Sequence, residues 1–267
     1  MSGSDTAFTG SIPALYDRCL GPLLFEPYAR DLAERVAAIA PRRILETAAG
    51  TGIVTAALVR AAPDAEIVAT DLNPDMLAVA AARIDSPAVS FQPADAQSLP
   101  FADGAFDLVV CQFGAMFFPD RVGAYREARR VLKRGGLFLF NVWDRLDANP
   151  ASKAVAEAVA ALFPDDPPSF LERVPFGYHD PERIERDLVA AGFDDIAIET
   201  VGARSRGDPA LAARGLSAGS PLRAEIEARD PGRLEEAEAA AAAALHALAG
   251  PEGLDQPMSA LVVSSRA

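Results

Sequence analysis

Two cysteines, two histidines and one tryptophan stand among the 267 residues, and 25 lysines and arginines are outnumbered by 38 aspartates and glutamates. Each scarcity removes an explanation. Cys19 and Cys111 cannot build a disulfide framework, nor a zinc site by themselves, so a reducing, cytoplasmic setting is expected and no metal. A net charge of −13, with no window gathering five or six basic residues, argues against nucleic acid and anionic membranes as partners. No run approaches the ~18 apolar residues of a membrane span. The N-terminal MSGSDTAFTG also lacks a basic region followed by an apolar stretch, so no export signal is expected.

Half of the residues are apolar, enough for a sizeable core, and their spacing alternates between two periods. DLAERVAAIA, from Asp31, places Leu32, Val36 and Ile39 on one helical face, with Pro41 as its stop. RRILETA reads as a strand that enters the turn AGTG, and GIVTAALVRAA returns to helical composition. EIVATD is a second strand, with Asn73 as N-cap and Pro74 at the first position of the helix DMLAVAAARI. AVSFQP, FDLVVCQ and LFLFNV read as three more strands. The helix DRVGAYREARRVL precedes the last of these, with Lys133 and Arg134 expected in its final turn before Gly135 and Gly136.

Strands alternating with helices at this pitch imply a doubly wound, Rossmann-like α/β fold, its sheet mostly parallel and covered on both faces. Beyond Asn149 come the helical stretch ASKAVAEAVAALF, the break PDDPPSF, a helix from Asp180 to Ala191, a strand at 194–201, an Ala-rich helix and a final strand at 259–267. Seven strands are expected in all. One domain over 1–267 is expected, with a helical cap at 1–40, a ligand-binding core at 41–145 and a helical lid insertion within 150–250.

The segment ILETAAGTGIVT carries the most chemistry. Glu46 ends a strand, and Gly50 and Gly52 form a turn into a helix where the backbone approaches a ligand without a Cβ in the way. A dinucleotide site needs a third glycine, G-x-G-x-x-G, and counting from Gly50 that place is Thr55. Glu46 would also repel a pyrophosphate. A phosphate-free ligand carrying cationic groups suits an acidic turn better. Asp71, nineteen residues past Gly52, ends the second strand, where a carboxylate accepts hydrogen bonds from ribose hydroxyls. Asp95, after the third strand, is placed to accept from an adenine amino group.

The stretches LETAAGTG, ATDLNPDML, ADAQSLPF, FDLVVCQFGAMFFPD and REARRVLKRGGLFLFNVWD resemble, in order and spacing, the class I S-adenosylmethionine-dependent methyltransferases of the ubiquinone/menaquinone-biosynthesis type. The resemblance covers roughly residues 40 to 145 and continues more weakly in YHDPERIERDLVAAGF. It implies methyl transfer from S-adenosyl-L-methionine to a small-molecule acceptor, at oxygen, nitrogen or carbon, by a monomer or homodimer. Glu46, Ala48, Gly50, Thr51 and Gly52 would line the methionine end of the cofactor, and Asp71 the ribose. Leu72 and Met76 would surround the adenine, Asp95 and Ala96 would meet its edge, and Gln112 and Phe113, just past the fourth strand, would lie near the methionine moiety and the acceptor. Tyr16, in ALYDRCLGP, would cover the cofactor carboxylate. Ala48 departs from the family's commoner first glycine.

Ordinary readings compete at several positions. Gly50 and Gly52 alone would be turn glycines, and Asp71 alone the start of a turn with Asn73 and Pro74. His179, in FGYHDPER, is the candidate base, yet beside an N-cap a solvated loop histidine is the commoner case. His246 belongs to the Ala-rich helix. Tyr16 and Trp143 divide evenly between core and site lining, and Phe117, Phe118, Phe163, Phe170 and Phe176 between core and acceptor pocket. Two rival functions stay open at this level, a nicotinamide-dependent oxidoreductase and a non-catalytic S-adenosylmethionine-binding protein.

Overall fold

Seven extended runs form one sheet: β1 (Arg43–Glu46), β2 (Glu66–Asp71), β3 (Val89–Pro93), β4 (Phe106–Gln112), β5 (Leu132–Trp143), β6 (Asp194–Gly207) and β7 (Leu254–Arg266). The computed structural model describes residues 12–267, so the first part of the cap expected over 1–40 lies outside the described residues. The strand order is β3-β2-β1-β4-β5-β7-β6. β1 to β5 pair in parallel, whereas β7 runs antiparallel to both β5 and β6. The chain moves outward from β1 through β2 to β3 and then restarts at β4 on the other side. A crevice therefore opens between the carboxyl ends of β1 and β4.

The helices are α1 (Ile12–Leu15), α2 (Glu26–Ile39), α3 (Ile53–Ala61), α4 (Pro74–Arg83), α5 (Arg121–Val131), α6 (Pro150–Ala160), α7 (Phe170–Arg173), α8 (Pro181–Ala191), α9 (Pro209–Ser217), α10 (Leu222–Arg229) and α11 (Leu234–Leu248). Their starts follow local chemistry. Asn73, Asp120, Asp180 and Asp208 each accept a main-chain N–H of the first turn, and Pro74, Pro181 and Pro209 occupy positions whose missing N–H costs nothing there. Between α1 and α2 the chain winds in wider, π-type turns over Tyr16–Phe25, with Pro22 inside them. Such turns are uncommon and cluster at functional sites.

Three boundaries differ from expectation. α5 ends at Val131, so Arg129 and Arg130 fill its last turn, while Lys133 and Arg134 belong to β5. The strand starts early because Lys133 Nζ reaches Asp107 Oδ1 (2.6 Å) and Gly135 takes φ +76° in an irregular entry to the sheet. α2 begins at Glu26, ahead of Asp31. β6 runs on to Gly207 and β7 starts at Leu254, because the two strands pair along almost their whole length, as neither short apolar run discloses by itself. Tyr28, Tyr125, Tyr178, Phe106, Phe138 and Phe140 are the large side chains at the centre of the core.

Candidate active site

The turn after β1 is tied to both neighbouring strands. Thr47 N–H donates to Val110 O of β4 (2.9 Å), and Ala49 N–H donates to Thr70 O of β2 (2.9 Å). Between these anchors the backbone passes through the left-handed region at Ala48 (φ 52°) and Gly50 (φ 56°). An alanine pays for that conformation, and the two flanking hydrogen bonds hold it. The result is a recess of about 30 Å³ lined by Tyr16, Phe25, Glu46, Ala48, Gly50 and Gln112, with Thr51, Ile53 and Val54 completing it.

Glu46 lies at the base, 1% exposed. Thr55 Oγ1 donates to its Oε2 (2.7 Å). Burial pushes its carboxyl up to about 8, the Thr55 hydroxyl opposing the rise and Asp71 adding to it. Two further polar groups of this recess, Thr51 Oγ1 and Gln112 Oε1, are buried without a hydrogen-bond partner among the described residues. Unsatisfied buried oxygens are rare, and these two belong to residues that line the recess, where a ligand can complete the bonding. A ligand end bearing ammonium, carboxylate and sulfonium groups fits that donor and acceptor set.

Asp71 stands one strand over. Its Oδ2 accepts Gly50 N–H (2.8 Å) and its Oδ1 accepts Asn73 N–H (2.8 Å), so it braces the glycine turn while keeping lone pairs free. Burial raises its carboxyl, against the pull of those N–H donors. Leu72, next to it, is 62% exposed, a large apolar side chain left open at the crevice edge. Met76 is buried, with its methyl 3.9 Å from where a Cβ on Gly50 would lie. Asp95 and Ala96 follow β3, where Asp95 Oδ1 accepts Gln97 N–H (2.8 Å); they do not line the recess. Gly52 is also outside it. A Cβ there would lie 2.8 Å from Ala80 Cβ, so this glycine serves the packing of α3 on α4.

Gln112 and Phe113 separate two cavities. Gln112 lines the recess, and Phe113, in the left-handed region at φ 50°, turns its ring into an apolar pocket of about 50 Å³. Phe113 stacks on Trp143 (ring centroids 4.0 Å apart, 10° between planes). Tyr16 stacks on Phe25 at 4.8 Å, and this pair lines both cavities, as the wall between them. Of the phenylalanines considered above, Phe117, Phe170 and Phe176 line the apolar pocket. Phe163 instead lies under the Arg233 guanidinium, 5.0 Å from its ring centre.

His179 belongs to neither cavity. It borders a wider cleft of about 640 Å³ with Arg145, Lys153 and Glu172, and its Nδ1 is 2.7 Å from Phe176 O. Leu171 and Phe176 form the partition between that cleft and the apolar pocket. Tyr178 anchors the partition by donating to Asp187 Oδ2 (2.7 Å). His246 is exposed on α11. Phe25, Ile53 and Val54 also line the recess, although as apolar residues on helical faces they look like core. Asn141 is different: it is the one polar interruption of the run LFLFNV, and the structure buries it completely behind Phe113.

Residues 45–140 match the family described as a methyltransferase domain. A demethylmenaquinone methyltransferase of Thermus thermophilus is 46% identical over 99 residues, 36% of this chain and 45% of that protein. The ubiquinone/menaquinone biosynthesis C-methyltransferase UbiE of Pseudomonas aeruginosa is 34% identical over 168 residues, 58% of this chain and 66% of that protein. The chain thus spans between about half and two thirds of the length of these curated relatives. The YcgJ protein of a Bacillus shares the fold, with a TM-score of 0.57 at 21% identity over 90% of this chain and 98% of that one.

Proposed function

We propose that this chain, whose residues 45–140 match the methyltransferase domain family, is an S-adenosylmethionine-dependent methyltransferase that transfers the methyl group to a small, planar, apolar acceptor held in the aromatic pocket. One observation carries this reading: a polar recess and an apolar pocket share a single wall, Tyr16 and Phe25. For in-line transfer the acceptor atom must meet the methyl carbon at about 3 Å, with the carbon–sulfur bond breaking as the new bond forms, so this wall has to open between the two cavities. The Thermus thermophilus relative is named for demethylmenaquinone, whose ring is planar and apolar.

When bound, S-adenosylmethionine supplies an electrophilic methyl on a sulfonium whose leaving thioether departs neutral. The residues of this chain bind and orient. Glu46, Thr51 and Gln112 would hold the amino-acid end, Asp71 the ribose hydroxyls, Leu72 and Met76 the faces of the adenine, and Asp95 with Ala96 its edge. Aromatic walls exclude water and restrict the acceptor to one plane, and positioning of this kind lowers barriers by roughly 7–11 kcal/mol in well-oriented systems. Tyr16 acts as a neutral hydroxyl, since burial, with Asp71 and Asp17 nearby, holds its phenol far above the usual range. Both cavities are narrow, so entry requires the Tyr16–Phe25 segment to move aside.

The test is label transfer. Protein incubated with methyl-labelled S-adenosylmethionine and a panel of hydroquinones, naphthols, catechols and amines is expected to label at least one aromatic acceptor. Cofactor binding with no transfer across that panel would support a binding protein that kept the fold without the chemistry.

A further inference from the structure

We infer that Asn141 is a positioning residue that sets the Gln112–Phe113 turn, and through it the alignment of the cofactor recess with the acceptor pocket. The inference rests on the two-cavity reading above. Asn141 lines neither cavity, yet it accepts the N–H that opens the turn. Its neighbour across the parallel pair is Gln112, the last residue of β4. One residue later the chain enters the left-handed region at Phe113, a strained conformation for a residue with a side chain that persists only when its surroundings enforce it.

Three contacts do so. Phe113 N–H donates to both oxygens of Asn141, the side-chain Oδ1 at 2.9 Å and the main-chain O at 3.1 Å. The Phe113 ring stacks on Trp143, two residues beyond Asn141. Tyr28 meets both rings edge-on, at 5.4 Å from Phe113 and 5.5 Å from Trp143. The next residue, Gly114, permits a close approach, because a Cβ there would lie 2.5 Å from Ala48 Cβ in the turn after β1. The β4 turn is therefore wedged between Asn141 and the glycine turn. It directs Gln112 to one cavity and Phe113 to the other.

Asn141 itself is 0% exposed, and its Nδ2 has no hydrogen-bond partner among the described residues. Only the oxygen end is in use. An aspartate at this fully buried position is held protonated at pH 6, because burial raises a carboxyl, and so retains the acceptor with no charge, whereas a leucine of similar size removes the acceptor and leaves Phe113 N–H only its weaker main-chain partner. The chain's single tryptophan is Trp143, so its emission reports the stack directly.

The experiment compares Asn141→Leu, Asn141→Asp and Val142→Ala, the last removing core volume at the adjacent buried position. Each is measured by Trp143 emission, by calorimetric titration with S-adenosylhomocysteine, and by thermal unfolding. Asn141→Leu is expected to change the Trp143 emission and to weaken S-adenosylhomocysteine about tenfold, the consequence of one lost buried hydrogen bond. Asn141→Asp at pH 6 should keep emission and affinity within about twofold of the parent. Val142→Ala should lose stability with neither change. If Asn141→Leu behaves like Val142→Ala, the residue is ordinary core and the inference is overturned. If the parent protein binds no S-adenosylhomocysteine, the cofactor reading fails instead, while the emission comparison still decides whether Asn141 holds the turn.

Discussion

Replacing Glu46 by glutamine tests the chemistry of the recess most sharply. Its carboxyl is buried and pushed from an ordinary 4.5 up to about 8, so near pH 7 it is mostly protonated when no cation faces it. A cationic ligand end seated against it favours the carboxylate, and the proton must leave. At pH 7 the expected release is about 0.9 proton per ligand, and affinity for S-adenosylmethionine rises about tenfold from pH 6 to pH 7, flattening towards pH 8. Calorimetry in two buffers of different ionisation enthalpy measures that release. Stability carries the opposite sign. Because the folded-state value is raised, the group's contribution is complete below 4.5 and is lost as pH climbs through about 8. The Glu46→Gln protein, which cannot ionise there, should gain about 2 to 3 kcal/mol relative to the parent between pH 6 and pH 9 in urea unfolding. Ligand binding without proton release, together with parallel stability curves for the two proteins, would refute the reasoning.

Asp71→Ala removes a carboxylate that braces Gly50 N–H and that the proposed function assigns to the ribose; cofactor affinity should fall roughly 10- to 150-fold by titration, the equivalent of about 1.5–3 kcal/mol. Gly114→Ala drives a Cβ against Ala48 and Cys111 Sγ, and urea unfolding should show a loss of about 1–3 kcal/mol from overpacking. His179→Ala should leave label transfer within about twofold of the parent, since His179 borders only the outer cleft; a loss of a hundredfold or more would restore it as a base.

The parallel half of the sheet was legible because its strands are short, apolar and bounded by glycine, proline and capping residues, so periodicity and caps agree. The antiparallel end was less so. Pairing along β6 and β7 lengthens both beyond their apolar cores, and past Val201 β6 continues as Gly-Ala-Arg-Ser-Arg-Gly, which offers no hydrophobic pattern to read. In the recess, Glu46 and Gly50 were named from their places at a strand end and its turn, and Gln112 from the family resemblance. Gly52 looked identical in sequence yet serves α4, because a close approach between helices cannot be seen in one chain segment. Asn141 and Phe25 escaped notice because their roles arise from neighbours 28 and 87 residues away, Phe113 for the asparagine and Gln112 for the Phe25 carbonyl.

Parallel calorimetric titrations of the purified protein with S-adenosylmethionine, S-adenosylhomocysteine and NADH test the central claim. The account predicts saturable binding of both adenosyl ligands and none of NADH. Binding of NADH alone would contradict the reading of Glu46, Gly50, Thr51, Asp71 and Gln112 as one cofactor site.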